Sequence, residues 1–172
     1  MHAIETARLR LQPLDSEHEG LYCRIYTDPA LMRHVAAPLS EDQARRSFQV
    51  ACRQSTSTHP AWWWAIHPNV SGEAIGVAGL TGGDDGLVEI GAMLLADAQG
   101  RGIVTETFSA LLNVAFSTLQ VAGIRARHAP GNAAMATVLR KLGFRPEHTN
   151  AAAPGDWSIW RLDAPAQDRG PT

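Results

Sequence analysis

The segment of this 172-residue chain with the clearest capacity for chemistry reads Gln99-Gly100-Arg101-Gly102-Ile103-Val104-Thr105-Glu106. It joins a strand-like stretch to a helix-like one. The first N–H groups of a helix have no intrahelical partner and carry the positive end of the macrodipole. Glycines let such amides approach a phosphate with no Cβ in the way. Arg101 adds a cation with directional donors. The bland alternative is a Gly-rich turn that merely starts a core helix. Two other phosphate motifs fit poorly. A P-loop ends in Gly-Lys-Ser/Thr, a tripeptide this sequence lacks. A dinucleotide fingerprint wants a third glycine where Thr105 stands, and an acid after the next strand, whereas residues 124–130 hold no Asp or Glu.

Residues 87–95, just before this segment, alternate as a strand. Alternation puts Glu89, Gly91, Met93 and Leu95 on one face and Val88, Ile90, Ala92 and Leu94 on the other. Residues 102–119 carry Phe108, Leu111, Leu112, Ala115, Phe116 and Leu119 at helical spacing. Further strands are expected at 8–14, 61–67, 74–80, 124–128, from Phe144 onward, and at 156–162. Pro68-Asn69 and the Gly-rich turn 82–86 break an antiparallel meander. A helix is expected over about 16–27, with Asp28-Pro29 as its breaker. Ser40 followed by Gln43 is a capping box that opens a second, whose apolar face holds Ala44, Phe48, Ala51 and Cys52. A short helix over 133–142 precedes Gly143 as C-cap. The order is mixed α/β in one domain, 1–164, with a tail over 165–172 expected to be disordered.

Hydrophobic residues make up 45% and charged residues 19%, ordinary for a soluble globular domain. A net charge of -2 gives no general attraction to nucleic acid or an anionic membrane. No apolar run approaches the ~20 residues of a membrane span, and residues 1–11 lack a signal-peptide core. The cytoplasm is the expected location. Cys23 and Cys52 lie far apart and form no metal-like pair, so reduced thiols and no metal are expected.

These residues together resemble the GNAT superfamily of N-acetyltransferases, in its RimJ/RimL-like branch. Gln99 and Gly102 match the Gln/Arg-x-x-Gly-x-Gly/Ala signature, with Val104 at the usual small position. The branch pattern continues in Thr6, Arg8, Leu9 and Leu11; in Ile75-Gly76; in Glu89-Ile90-Gly91; in Thr105-Glu106; in Phe116; in Asn132; and in Lys141-Leu142-Gly143-Phe144. The points span residues 6–144. The resemblance implies an α/β (α+β) GNAT fold: a mixed, mostly antiparallel sheet with flanking helices, splayed between strands 87–95 and 124–128. It implies acetyl-CoA as co-substrate. The pantetheine arm would lie along Met93, Leu94 and Leu95, and the pyrophosphate on Gln99, Gly100, Arg101, Gly102, Ile103, Val104 and Thr105. Asn132 would contact the pantetheine or its water shell. Two positions depart from the family: Met135 stands where a Ser is frequent, and Leu139 near where some relatives carry a Tyr acid.

Acetyl transfer needs a neutral amine, and a lysine amine (reference pKa ~10.4) is far less neutral near pH 7 than an α-amine (~7.7–8.0). A base must therefore stand near the nitrogen, directly or through one water. Glu89 is the candidate base. A carboxylate on a central strand is rarely buried without a partner, so a satisfied structural acid is the competing reading. Glu106, in the first turn of the long helix, is explained by the helix dipole. Arg125, Arg127 and His128 could meet a CoA phosphate or line a solvated edge. His34 and His67 could border the acceptor, and Trp62-Trp63-Trp64 could wall it. The expected activity is acetylation of a primary amine, either a protein N-terminal α-amine or a small molecule, by a monomer or homodimer. A non-catalytic acyl-CoA sensor of the same fold is the alternative.

Overall fold

A computed structural model describes residues 2–53, 60–83, 86–147 and 157–165 of the chain. Asp84 and Asp85 of the Gly-rich turn, Asp156 at the start of the last expected strand, and the tail from residue 166 lie outside the described residues. The elements are β1 (Ile4–Glu5), β2 (Leu9–Pro13), α1 (Glu19–Thr27), α2 (Pro29–Met32), α3 (Glu41–Cys52), β3 (Ala61–Pro68), β4 (Gly76–Gly82), β5 (Val88–Leu94), α4 (Ile103–Asn113), β6 (Gly123–His128), α5 (Ala133–Lys141), β7 (Arg145–Pro146) and β8 (Ser158–Asp163). Among the described residues the strands form one sheet in the order β1-β2-β3-β4-β5-β6-β8-β7. Every neighbouring pair is antiparallel except β5 with β6. This is the mixed, mostly antiparallel architecture expected.

Local signals set most element ends. Ser40 and Gln43 form the reciprocal capping box at α3. Gly143, with φ 85°, ends α5 in the left-handed conformation that a Cβ disfavours. Asp28-Pro29 does more than break a helix. Asp28 stops α1 and its carboxylate accepts from the amides of Ala30 and Leu31, with Pro29 in the first turn of α2. The long helix expected over 102–119 is α-helical only to Asn113, and residues Val114–Thr118 form a π turn. Apolar periodicity over five residues does not separate a 3.6-residue turn from a wider one.

The sheet is covered on both faces. One face packs against α4 and α5 through Trp64, Ile66, Leu80, Ile90, Phe108, Leu111 and Leu139. The other packs against α1 and α3 through Tyr22, Ile25, Phe48, Ala65 and Val77. Burying each large side chain contributes about 1.5–3 kcal/mol before entropy is counted. The three consecutive tryptophans alternate accordingly: Trp62 and Trp64 join the first core and Trp63 the second. Both cysteines are free. Among the described residues no helix is long and apolar enough to cross a membrane.

Candidate active site

The parallel ladder between β5 and β6 holds only Val88 with Ile124 and Glu89 with Arg125. Beyond those pairs the strands have no further register, and a cavity of about 290 Å³ opens there. Its lining comes from both sides of the sheet. Tyr26, Trp63, Val77 and Met93 belong to the α1 side, and Ile90, Ala92, Phe108, Ala126 and Met135 to the α4 and α5 side. The split therefore makes a passage through the sheet, where a group held on one face can meet a group held on the other. A larger, open groove of about 610 Å³ between α1 and α3 is lined by Glu19, Arg24, Asp28, Glu41 and Arg45. It has charges of both signs and lies away from this split.

Glu89 lines the cavity. Its Oε1 accepts from Nε of Arg127 at 2.9 Å and meets Nη2 of the same residue at 2.9 Å. The Arg127 guanidinium stands 5.8 Å from the ring centre of Trp157. Around this pair, Tyr26, His34, Val35 and Trp63 form the wall on the α1 side. Trp63 is placed by its cross-strand partner Gly79, whose missing Cβ leaves room for the indole. Tyr26 stacks on Tyr22 with ring centres 4.2 Å apart. Burial pushes the Tyr26 phenol far above its ordinary value, and the neighbouring Tyr22 adds to this. It stays protonated at any working pH.

At the far end of β5, Gln99, Gly100, Arg101 and Gly102 are exposed, while Ile103 turns its side chain into the core. Gly100 and Gly102 both take φ of 75°, and Gly102 is the N-cap of α4. The first helical amide to find an intrahelical carbonyl is that of Glu106, to Gly102. The amides before it have no intrahelical carbonyl within reach, the general condition of a helix start. The Gln99 amide donates to the Leu94 carbonyl at 3.2 Å and ties the turn to β5. That carbonyl is thus engaged from within the chain. Leu94 and Leu95 are core residues, one in each face's cluster, so only their backbone could serve a ligand.

Arg8, the residue before β2, reaches the same turn, with Nη1 donating to the Arg101 carbonyl at 3.1 Å. Its Nε donates to Glu106 at 2.6 Å, its backbone amide to the same carboxylate at 2.9 Å, and the Thr6 hydroxyl at 2.6 Å. Partial burial, the largest single influence, pushes the Glu106 carboxyl up. The Thr6 hydroxyl and the Arg8 amide and guanidinium together outweigh it and hold the carboxyl below its ordinary value. Glu106 is a clamp between β2 and the helix start. Nothing local in the sequence pairs Arg8 with a turn some ninety residues away.

The remaining expectations divide. Asn132 lines the cavity and also caps α5, its Oδ1 accepting from the Met135 amide at 3.1 Å. His34 borders the cavity, but His67 does not: its Nε2 lies 3.1 Å from Nε2 of His18 on another part of the molecule. Arg125 pairs with Glu147 at 3.1 Å and Arg127 with Glu89, so neither is directed at the phosphate turn. His128 is buried. Its Nε2 accepts from the Trp160 indole, which can only donate, and this leaves its Nδ1 to donate to the Ala129 carbonyl. Met135 lines the cavity with no proton to give, and Leu139 is fully buried in the core.

Residues 8–145 match the model of the Acetyltransferase (GNAT) domain. An uncharacterized N-acetyltransferase, p20, of Bacillus licheniformis is 26% identical over 151 residues, covering 86% of this chain and 84% of that protein. An acetyltransferase from Agrobacterium tumefaciens superposes with a TM-score of 0.81 at 24% identity, covering 94% of each chain. RimL, a ribosomal α-N-protein acetyltransferase solved in complex with coenzyme A, superposes with a TM-score of 0.79 at 19% identity, over 94% of this chain and 98% of that one. At these identities the two solved structures bear on the fold, and the domain match, which takes in most of the chain, bears on the family. A sheet split beside a glycine-rich helix start, together with that match, makes this chain a member of the GNAT acetyltransferase family.

Proposed function

We propose that the enzyme transfers an acetyl group from acetyl-CoA to a primary amine by direct attack within a ternary complex. The observation that carries this reading is the split between β5 and β6, which joins the two faces of the sheet through one cavity. The pyrophosphate would rest on the amides from Gln99 to Thr105, the pantetheine would follow β5 past Met93 with Asn132 beside it, and the thioester would end in the cavity. At ~3.4 Å per residue, the five steps from Glu89 to Leu94 separate the base from the phosphate end by about 17 Å. That a RimL structure of the same fold is a complex with coenzyme A supports coenzyme A as the ligand.

Glu89 would act as the base, directly or through one water, with Arg127 fixing its orientation. The amine nitrogen attacks the thioester carbonyl and a C–N bond forms as the C–S bond breaks. The proton shed by the amine leaves through Glu89, and the thiolate is protonated from water. A simple thiol has a pKa near ~8.5, so its anion is an acceptable leaving group without a side-chain acid. This fits Met135 in the cavity and Leu139 in the core.

Titration calorimetry and thermal melting with acetyl-CoA test the cofactor half of the proposal. At 100 times Kd, linkage stabilises the fold by ~2.7 kcal/mol. Absence of both a binding isotherm and a melting shift would overturn it. Met135 and Leu139, which offer no acid, are also compatible with a second reading, an acyl-CoA sensor. Free-thiol release separates the two, since a sensor binds acetyl-CoA but releases no thiol to any amine.

A further inference from the structure

The cavity holds an ion pair that its own fold does not consume. Glu89 and Arg127 meet at 2.9 Å across the split, yet their side chains are 35% and 49% exposed. Both line the space in which an acceptor would sit. Arg127 also has the Trp157 ring beside it, 5.8 Å from the guanidinium carbon, as a second surface to rest on. The pair is held by two long side chains on different strands, and either can swing without moving backbone.

An amine must reach Glu89 to lose its proton. A simple monocationic amine would do so by pulling the carboxylate from Arg127. That leaves a guanidinium without its counter-charge next to an arriving cation, an arrangement like-charge repulsion disfavours. A zwitterion avoids the problem. It exchanges one ion pair for two, ammonium with Glu89 and carboxylate with Arg127, and the net charge of the site does not change. The planar fork of arginine suits a carboxylate in particular. Because Glu89 and Arg127 already touch, the ligand's two charges must lie close together, as they do in an α-amino acid, where ammonium and carboxylate are both bonded to one carbon.

Size and lining point the same way. About 290 Å³ is at the bottom of the range for small-molecule sites, and the thioester end shares it. The wall beyond the pair is Tyr26, His34, Val35 and Trp63, whose rings and valine methyls suit an apolar or aromatic substituent. Building on the acetyl-transfer reading above, we infer that the acceptor is a free α-amino acid with an apolar or aromatic side chain, bound between Glu89 and Arg127.

The test measures kcat/KM by free-thiol release from acetyl-CoA. The acceptors are L-phenylalanine and L-leucine, their carboxamides, 2-phenylethylamine, and a tripeptide beginning with phenylalanine. Wild type should prefer each amino acid over its carboxamide by about 10- to 100-fold, the worth of one charge-assisted contact. It should disfavour 2-phenylethylamine and the tripeptide alike. Arg127→Gln should collapse the acid-to-amide ratio toward one, and Arg127→Lys should retain part of it. The ratio is taken within one preparation, so partial misfolding cannot imitate its loss; an arginine that only supports the fold would lower both rates together. Equal rates on acid and carboxamide, preference for the tripeptide, or no reaction with any amino acid would overturn the inference. Acetyl-CoA binding measured in parallel separates the levels: binding without amino-acid preference removes only this inference, and no binding removes the acetyl-transfer reading beneath it.

Discussion

The indole of Trp63 lies across Gly79 so closely that a Cβ on that glycine would stand 2.7 Å from the ring. The two residues face each other on β3 and β4, and the glycine sets where the aromatic wall of the cavity stands. Gly79→Ala should push the ring into the acceptor space. Overpacking of this kind costs about 1–3 kcal/mol, and at this chain length each kcal/mol lowers Tm by about 2–4 °C. The acceptor KM should rise several-fold while acetyl-CoA affinity holds. Steady-state kinetics and calorimetry on the same preparation check the split; an equal loss of both would place Trp63 outside the acceptor site.

Gly102 offers a second test, at the other end of β5. Its φ of 75° strains any residue with a Cβ, although the nearest atom to such a Cβ is Nη2 of Arg8 at an unhindered 3.5 Å. Asp and Asn tolerate this conformation better than other residues, at roughly 1–2 kcal/mol or less. Gly102→Asn therefore reports the backbone effect alone, and Gly102→Asp adds a negative charge where the pyrophosphate is proposed to lie. Both variants should keep the wild-type circular dichroism spectrum. The Asp variant should lose coenzyme A binding far more severely than the Asn variant. Unchanged affinity in Gly102→Asp would mean that the phosphates bind elsewhere.

Glu89 and Tyr26 share the cavity, and only one of them is proposed to move a proton. Loss of a positioned base typically costs ~10²–10⁴-fold, so Glu89→Gln should lower kcat/KM by that order. The Tyr26 phenol is held protonated by burial and is stacked on Tyr22. Tyr26→Phe, and likewise Tyr22→Phe, should change kcat by much less. Rates from pH 6 to about 9 for the three variants decide the matter. A Tyr26→Phe variant as impaired as Glu89→Gln, with its alkaline limb gone, would identify the phenol as a general acid.

The clamp of Arg8 and Thr6 on Glu106 makes a pH-dependent contribution to stability. The folded carboxyl lies below its ordinary value, so the unfolded chain takes up the proton first as pH falls. The contribution is full above the unfolded carboxyl's pKa of ~4.3 and is lost as pH drops through the lower folded value. Glu106→Gln should therefore melt below wild type at pH 7, and the gap should close toward pH 3. A gap that stays constant across that range would show that the carboxylate charge is not what holds the helix start.

The sequence alone was enough for features that depend on neighbours along the chain. The capping box at Ser40, the glycine turn before α4, the face of β5 that carries Glu89, and the mixed strand and helix order all follow from spacing and residue type. These are short-range effects, set by backbone sterics, side-chain period and helix-end hydrogen bonding. What the tertiary structure decided was which distant residues share a space. Arg127 meets Glu89 only because β5 and β6 are parallel neighbours whose ladder stops after two pairs. Arg8 reaches the Arg101 carbonyl only because β2 begins beside the start of α4. The same packing drew Tyr26 and His34 to the cavity, took His67 away to His18, and sealed Leu139 in the core. Such pairings rest on sheet order and on the burial of both faces, which are properties of the whole packed chain, and no single segment carries them.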